Sequence, residues 1–152
     1  MGANAPGADA LLAEALARYR DDPARGDFLI EYACAVAPDP LPARRVAYKF
    51  YNRERRFELA REHAGQALAE AARRIGLPPG MDTWTREQLA GHDGDLASHV
   101  LLSLKALAYI SLRMGDEAAA RPYLDSLSQL DLEDGSGVSV VEALLESLNP
   151  AR

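Results

Sequence analysis

The stretch that decides the fold is LLSLKALAYISLRMGDEAAARPYLDSLSQL, residues 101–130. Apolar and small residues recur at spacings of three and four on both sides of a central break, and this spacing predicts two helices. The break is Met114-Gly115-Asp116, where Gly115 can adopt the left-handed conformation that ends a helix. Asp116 can then accept backbone N–H bonds at the start of the next helix. The stretch therefore predicts a helical hairpin.

The rest of the chain repeats these start and stop signals. Asp9 can cap a first helix, and Asp22-Pro23 and Asp39-Pro40 each place an acidic cap before a proline in the first turn, where its missing N–H costs nothing. We therefore predict an all-α fold of seven to eight helices without a sheet. The domain spans 9–149, with helix pairs at 9–37, 41–76 and 95–131, an insert at 77–94, a capping helix at 138–148 and a disordered stretch at 1–8.

Local details of the packing are also predicted. Gly65 stands inside the fourth helix at a cost of about 1 kcal/mol relative to alanine, which indicates close backbone packing there. Pro122 falls in the second turn of its helix and predicts a kink or a later start. In the second helix, the apolar residues expected to face the core are Phe28, Leu29, Tyr32, Ala33 and Val36.

Size and charge restrict the class of protein. The chain has 152 residues with a net charge of −6, which fits one soluble domain and argues against general nucleic-acid binding. The charge is uneven: residues 40–76 hold nine Arg or Lys and four Glu, a net +5, so the remainder carries −11. Cys34 is the single cysteine. No intramolecular disulfide can form, so we expect a reducing compartment and a buried, inert thiol.

The two central helix pairs resemble the tetratricopeptide-repeat family. Residues near the family's small and apolar places are Leu104, Leu107, Ala108, Gly115, Ala120, Leu124 and Leu127 in one pair, and Ala47, Tyr48, Tyr51, Phe57, Ala60, Ala64, Ala67 and Leu68 in the other. The resemblance implies a right-handed stack of antiparallel helix pairs. It also implies a concave face lined by the first helix of each pair.

A basic stripe is the main candidate site. Arg45, Lys49, Asn52 and Arg53 follow a spacing of three and four, so they share a helical face. In the resemblance this face points into the concave groove, and the corresponding places of the later pair are held by Lys105, Tyr109 and Arg113. Guanidinium groups pair with carboxylates, and an asparagine can bind peptide amides. The alternative is a solvated basic face that forms i,i+4 pairs with Glu54, Glu58 and Glu62.

A weaker candidate site contains His92, Asp93, Asp95 and His99. Two imidazoles and two carboxylates can bind a divalent metal ion. The bland alternative is that one aspartate caps a helix and the histidines are ordinary polar residues. We expect no metal and no cofactor.

These observations favour a non-enzymatic protein–protein interaction module that binds an acidic or C-terminal peptide segment of a partner protein. A dedicated small chaperone or assembly factor for one partner is an alternative. The rival class is a helical metal-dependent enzyme that uses His92, Asp95 and His99. We expect no nucleic-acid or membrane partner and leave a homodimer open. The start of the chain lacks a signal-peptide pattern, so a bacterial-type cytoplasm is expected.

Overall fold

The computed structural model of the protein describes residues 7–91 and 94–130. In chain order its helices are α1 (Ala8–Arg18), α2 (Pro23–Val36), α3 (Pro40–Arg53), α4 (Phe57–Ile75), α5 (Arg86–Ala90), α6 (Gly94–Arg113) and α7 (Glu117–Leu130). A 3₁₀ turn at Met81–Thr83 precedes α5. These two ranges contain no β-strand, which confirms the predicted all-α class. The predicted capping helix at 138–148 lies outside the described residues, as do residues 1–6 of the predicted disordered stretch.

The long helices form three hairpins with short connections, α1 with α2, α3 with α4, and α6 with α7. Helix α4 is central because it packs extensively against both α3 and α6. Alanines that are almost fully buried allow these helices to approach closely. They are Ala60, Ala64, Ala67 and Ala71 on α4, Ala108 on α6 and Ala120 on α7.

Most helix ends have the chemistry predicted from the sequence. The carboxylates of Asp22, Asp39 and Asp116 each accept a hydrogen bond from a backbone N–H in the first turn of α2, α3 and α7. Gly76 and Gly115 close α4 and α6 with φ values of +85° and +78°. These angles lie in the left-handed region, where glycine has no Cβ penalty.

The insert between α4 and α6 packs onto the core. A capping box formed by Thr85 and Gln88 begins α5. The Trp84 side chain is buried, and its indole N–H donates to the Pro78 carbonyl at 2.8 Å. The Gln129 side chain of α7 donates to the Trp84 carbonyl at 3.1 Å. The insert is thereby tied to the third hairpin.

The predicted core face of α2 is confirmed at Leu29 and Ala33, which are buried, and wrong at the other three positions. Phe28, Tyr32 and Val36 are 65%, 49% and 45% exposed. The rings of Phe28 and Tyr32 stack on this outer face with centroids 6.1 Å apart. The opposite side of the helix buries Ile30 and Cys34 instead. The predicted burial of the Cys34 thiol is thus confirmed.

Other local predictions also fail. A Cβ added at Gly65 would meet no atom within 4 Å, so no neighbouring backbone requires a glycine there. Helix α7 begins directly after its cap and contains Pro122, so the later start is wrong. Helix α1 begins at Ala8 with Gly7 at the N-cap, which places Asp9 in the first turn rather than at the cap.

Helix α6 is long and apolar enough to span a membrane by length and composition alone. Half of the qualifying window is buried inside the protein. Core helices of globular proteins pass the same test, so the expectation of no membrane partner stays a prediction.

Two glycine substitutions should change stability in opposite directions. Gly65→Ala should raise the free energy of unfolding by about 0.5–1 kcal/mol, because alanine favours a helix and the added methyl meets open space. Gly26→Ala should lower it by about 1–3 kcal/mol, because its Cβ would lie 2.5 Å from Cδ2 of the Tyr19 ring. Urea denaturation measures both. Equal effects of the two variants would contradict this packing.

The buried alanines should not tolerate larger side chains. Ala108→Leu or Ala120→Leu should lower the free energy of unfolding by about 1–3 kcal/mol, because both positions are fully buried. Ala118→Leu on the exposed side of α7 is the matched control and should change stability little. Thermal unfolding followed by circular dichroism would compare the three variants. A buried variant as stable as the control would place the helix contact elsewhere.

Candidate functional site

Helices α3 and α6 form a cavity of about 190 Å³, which we call the α3–α6 groove. Its lining consists of Arg45, Tyr48, Lys49, Asn52, Leu102, Lys105, Ala106, Tyr109 and Ile110. Five of the seven predicted site residues are among them. The two halves of the predicted stripe, some 60 residues apart in the chain, therefore lie in one cavity.

The lining has an apolar floor and a cationic rim. Tyr48 and Ile110 are buried at the bottom, and burial raises the pKa of the Tyr48 phenol, so its ring stays uncharged. Arg45, Lys49 and Lys105 supply three positive charges, and none of the described lining residues is acidic. Such a lining can hold an anionic group above an apolar one.

The cations of the rim are not paired with carboxylates in the part of the chain that the structure describes. Within residues 7–91 and 94–130, Arg45, Lys49 and Lys105 form no salt bridge. Pairs with Glu54, Glu58 or Glu62, which the solvated-face alternative requires, are not formed by these three side chains. Their charge is therefore directed at solvent or at a ligand.

Arg113 closes one end of the groove. Its Nη1 donates to the backbone carbonyl and to Oδ1 of Asn52, both at 3.0 Å. Its guanidinium carbon lies 4.8 Å from the centroid of the Phe57 ring and 5.7 Å from that of Tyr109. The Asn52 oxygen expected to accept from a peptide amide thus already accepts from Arg113. The role of Arg113 is to join α3 to α6.

Arg53 does not join the site. It is exposed at the end of α3 and is absent from the lining of the groove. The helix turns about 100° per residue, so Arg53 lies well to the side of the face shared by Arg45, Lys49 and Asn52. Sequence analysis also missed the floor residues Leu102 and Ala106. Their three-to-four spacing with Lys105 and Tyr109 along α6 was the available signal.

A wider cavity of about 470 Å³ continues the groove toward the start of α6. It shares Arg45 and Lys49 and adds Pro42, Val46, Asp95 and His99. The His99 ring is buried, and its Nε2 lies 3.9 Å from Oδ2 of Asp95. No group of three or more His, Cys, Asp or Glu in the described ranges could hold a metal ion. His92 and Asp93 lie outside these ranges, so the expectation of no metal stays a prediction.

A second polar cluster, outside the groove, joins the first hairpin to the second. Oδ1 of Asp27 accepts hydrogen bonds from the hydroxyls of Tyr19 at 2.8 Å and Tyr51 at 2.7 Å. Arg56 pairs with Oδ2 of Asp27 at 3.3 Å and donates to the Tyr19 hydroxyl. Burial and then the Asp27 carboxylate raise the pKa of Tyr19 to about 12. The Tyr19 hydroxyl therefore stays protonated around neutral pH and remains a donor to Asp27.

His63 forms a further link between the hairpins. Its ring is buried, its Nε2 lies 2.6 Å from Oε1 of Glu31, and its Nδ1 lies 3.1 Å from Nη1 of Arg44. Arginine can only donate, so Nδ1 is the acceptor and Nε2–H donates to Glu31. Burial lowers the pKa of His63, and Arg44 lowers it further, against the opposing effect of Glu31. The ring is thus held neutral.

The stability of the protein should fall as pH drops from 7 to 5. The pKa of His63 is lower in the folded than in the unfolded protein, so its stabilising contribution is complete above the unfolded pKa of about 6.5 and is lost at lower pH. The slope can reach about 1.4 kcal/mol per pH unit for one proton. Urea denaturation across this range measures it. His63→Gln should flatten the dependence of the free energy of unfolding on pH. If that dependence is unchanged in the variant, His63 is not its cause.

Comparison with known proteins adds no relative. No family model matches the chain, and neither the curated proteins nor the solved structures contain a match.

Proposed function

We propose that this chain is a non-enzymatic protein–protein interaction module that binds an acidic segment of a partner protein in the α3–α6 groove. The observation that supports this most is the lining of the groove. Three cations without salt-bridge partners in the described ranges surround an apolar floor, and no described lining residue is acidic. An aliphatic side chain on the floor and carboxylates at the rim would satisfy both parts.

The architecture supports the same proposal. We propose that the three hairpins form a right-handed, tetratricopeptide-like stack, because α3 and α6 are the first helices of successive hairpins and both line the groove. A groove of this kind leaves the backbone of a bound segment accessible along its length. The segment would lie along α3, from Arg45 toward Arg113.

Charge favours an acidic segment over a neutral one. Residues 40–76 carry a net +5 inside a chain with a net −6. A cationic face within an acidic protein attracts an acidic segment and repels a basic one, which raises the rate of encounter with the correct partner.

A pair of synthetic peptides tests the proposal. A five-residue peptide that alternates Glu with Leu should bind, and its counterpart that alternates Gln with Leu should bind more weakly. Rising salt should weaken the binding of the acidic peptide only, because exposed charges are screened beyond about 8–10 Å at ordinary ionic strength. Lys49→Ala should cost affinity by about two- to fivefold, the range of one exposed ion pair, and Lys49→Glu should cost more. Isothermal titration calorimetry measures each case.

Arg73→Ala is the matched control, because Arg73 is exposed on α4, outside the groove, and pairs with Glu70. It should leave the affinity of the acidic peptide unchanged. If it weakens binding as much as Lys49→Ala, or if the two peptides bind equally at all salt concentrations, the groove is not an acidic-peptide site.

A further inference from the structure

A separate open cavity of about 570 Å³ lies beyond Arg113, on the side away from the groove. We call it the arginine cavity. Its lining is Arg55, Arg56, Phe57, Glu58, Leu59, Arg113 and Met114. It brings together the α3–α4 connection and the end of α6, so three guanidinium groups from two distant parts of the chain meet there. The function proposed above does not use Arg55 or Arg56.

Each of these guanidinium groups contacts a neighbouring side chain. Asn52 and the Phe57 ring hold Arg113, whose hydrogen bonds to the described residues use only Nη1 of its three nitrogens. The guanidinium carbon of Arg55 lies 5.9 Å from the centroid of the same Phe57 ring, and within the described ranges Arg55 forms no hydrogen bond or salt bridge. Arg113 and Arg55 therefore keep donors for a ligand. Arg56 is held by Asp27 and contributes charge.

The arginines of the arginine cavity do not stabilise the free protein. Three cations share the cavity with one carboxylate, that of Glu58. They also lie at the start of α4, where the helix dipole is positive and repels cations. The backbone of Arg55 has φ of +62°, a region that residues with a Cβ rarely adopt. An anion in the cavity would relieve the electrostatic part of this cost.

We propose that the arginine cavity binds a phosphoryl dianion, carried by a phosphorylated side chain of the partner segment. Guanidinium groups donate paired N–H groups to phosphate oxygens in a fixed geometry. A phosphoryl group offers three acceptor oxygens and nearly two charges, which match donors arriving from two sides better than one carboxylate does. Free inorganic phosphate has the same chemistry and is the competing source.

The assignment to a partner segment rests on the proposed function, whereas the anion site itself does not. Arg113 lines the arginine cavity and bonds to Asn52, which lines the groove. A segment whose phosphorylated side chain lies in the cavity would cross Arg113 and place its next residues in the groove. The arginine cavity and the groove would bind one segment, which consists of a phosphorylated residue followed by an aliphatic and acidic stretch.

Nuclear magnetic resonance titration of the full chain tests the anion site with small probes. The probes are inorganic phosphate, N-acetyl-phosphoserine amide and, as the uncharged comparison, N-acetyl-serine amide, all at matched ionic strength. The phosphoserine derivative should give saturable shifts at the backbone amides of Phe57, Glu58 and Leu59 and at Nε of Arg113. The serine derivative should give none.

Three exposed substitutions separate a specific site from general attraction. Arg55→Gln should weaken the binding of the phosphoserine derivative about tenfold, as expected for the loss of a charge-assisted hydrogen bond. Glu58→Gln should strengthen binding, because it removes the one carboxylate of the cavity. Arg121→Gln, on the exposed side of α7, removes the same charge elsewhere and should have no effect.

Each outcome either supports or overturns the proposal. The site is supported if the shifts saturate and if Arg55→Gln weakens the binding while Arg121→Gln leaves it unchanged. Shifts that do not saturate, or equal losses in these two variants, overturn it. If inorganic phosphate binds as tightly as the phosphoserine derivative, the proposal that the bound phosphoryl group belongs to a phosphorylated side chain is overturned. These titrations involve neither Lys49 nor the acidic peptide, so failure here and failure of the proposed function are distinguishable.

Discussion

The packing of α4 against both α3 and α6 is the constraint on which the candidate site depends. Alanines on α4, such as Ala60 and Ala64, are fully buried, so neighbouring helices can approach this helix closely. Helices α3 and α6 lie against the same support, and the groove is the space that remains between their outer sides. A larger side chain on the buried face of α4 would move both walls of the groove.

Helix ends could be predicted from the sequence because their chemistry is local. Asp22, Asp39 and Asp116 cap helices that begin within two residues of them, and Gly115 adopts the left-handed conformation that glycine allows without strain. The core face of α2 could be predicted only in part, because this helix carries apolar residues on all sides. Asp27 on α2 accepts hydrogen bonds from Tyr19, Tyr51 and Arg56, and helical spacing does not reveal such contacts.

The candidate site could also be predicted where its pattern is local, but not where it depends on contacts between distant residues. Spacing along α3 placed Arg45, Lys49 and Asn52 on one face, and the structure brings that face to the groove. The bond from Arg113 to Asn52 joins residues 61 positions apart, so no local pattern could indicate it. The arginine cavity was missed for a related reason: Arg55 and Arg56 follow the basic stripe in the sequence, but only the fold brings Arg113 beside them.

Charge and apolar contact would make different contributions to the proposed complex. An exposed ion pair stabilises by about 0–1 kcal/mol, so even three rim cations provide a limited affinity. Burial of one aliphatic side chain contributes about 1.5–3 kcal/mol, which makes the floor at Tyr48 and Ile110 the larger source of binding energy. The floor cannot distinguish one aliphatic residue from another by much, whereas the rim rejects segments of the wrong charge. In the proposed complex, most of the affinity would come from the apolar floor, and the choice of partner would come from Arg45, Lys49 and Lys105.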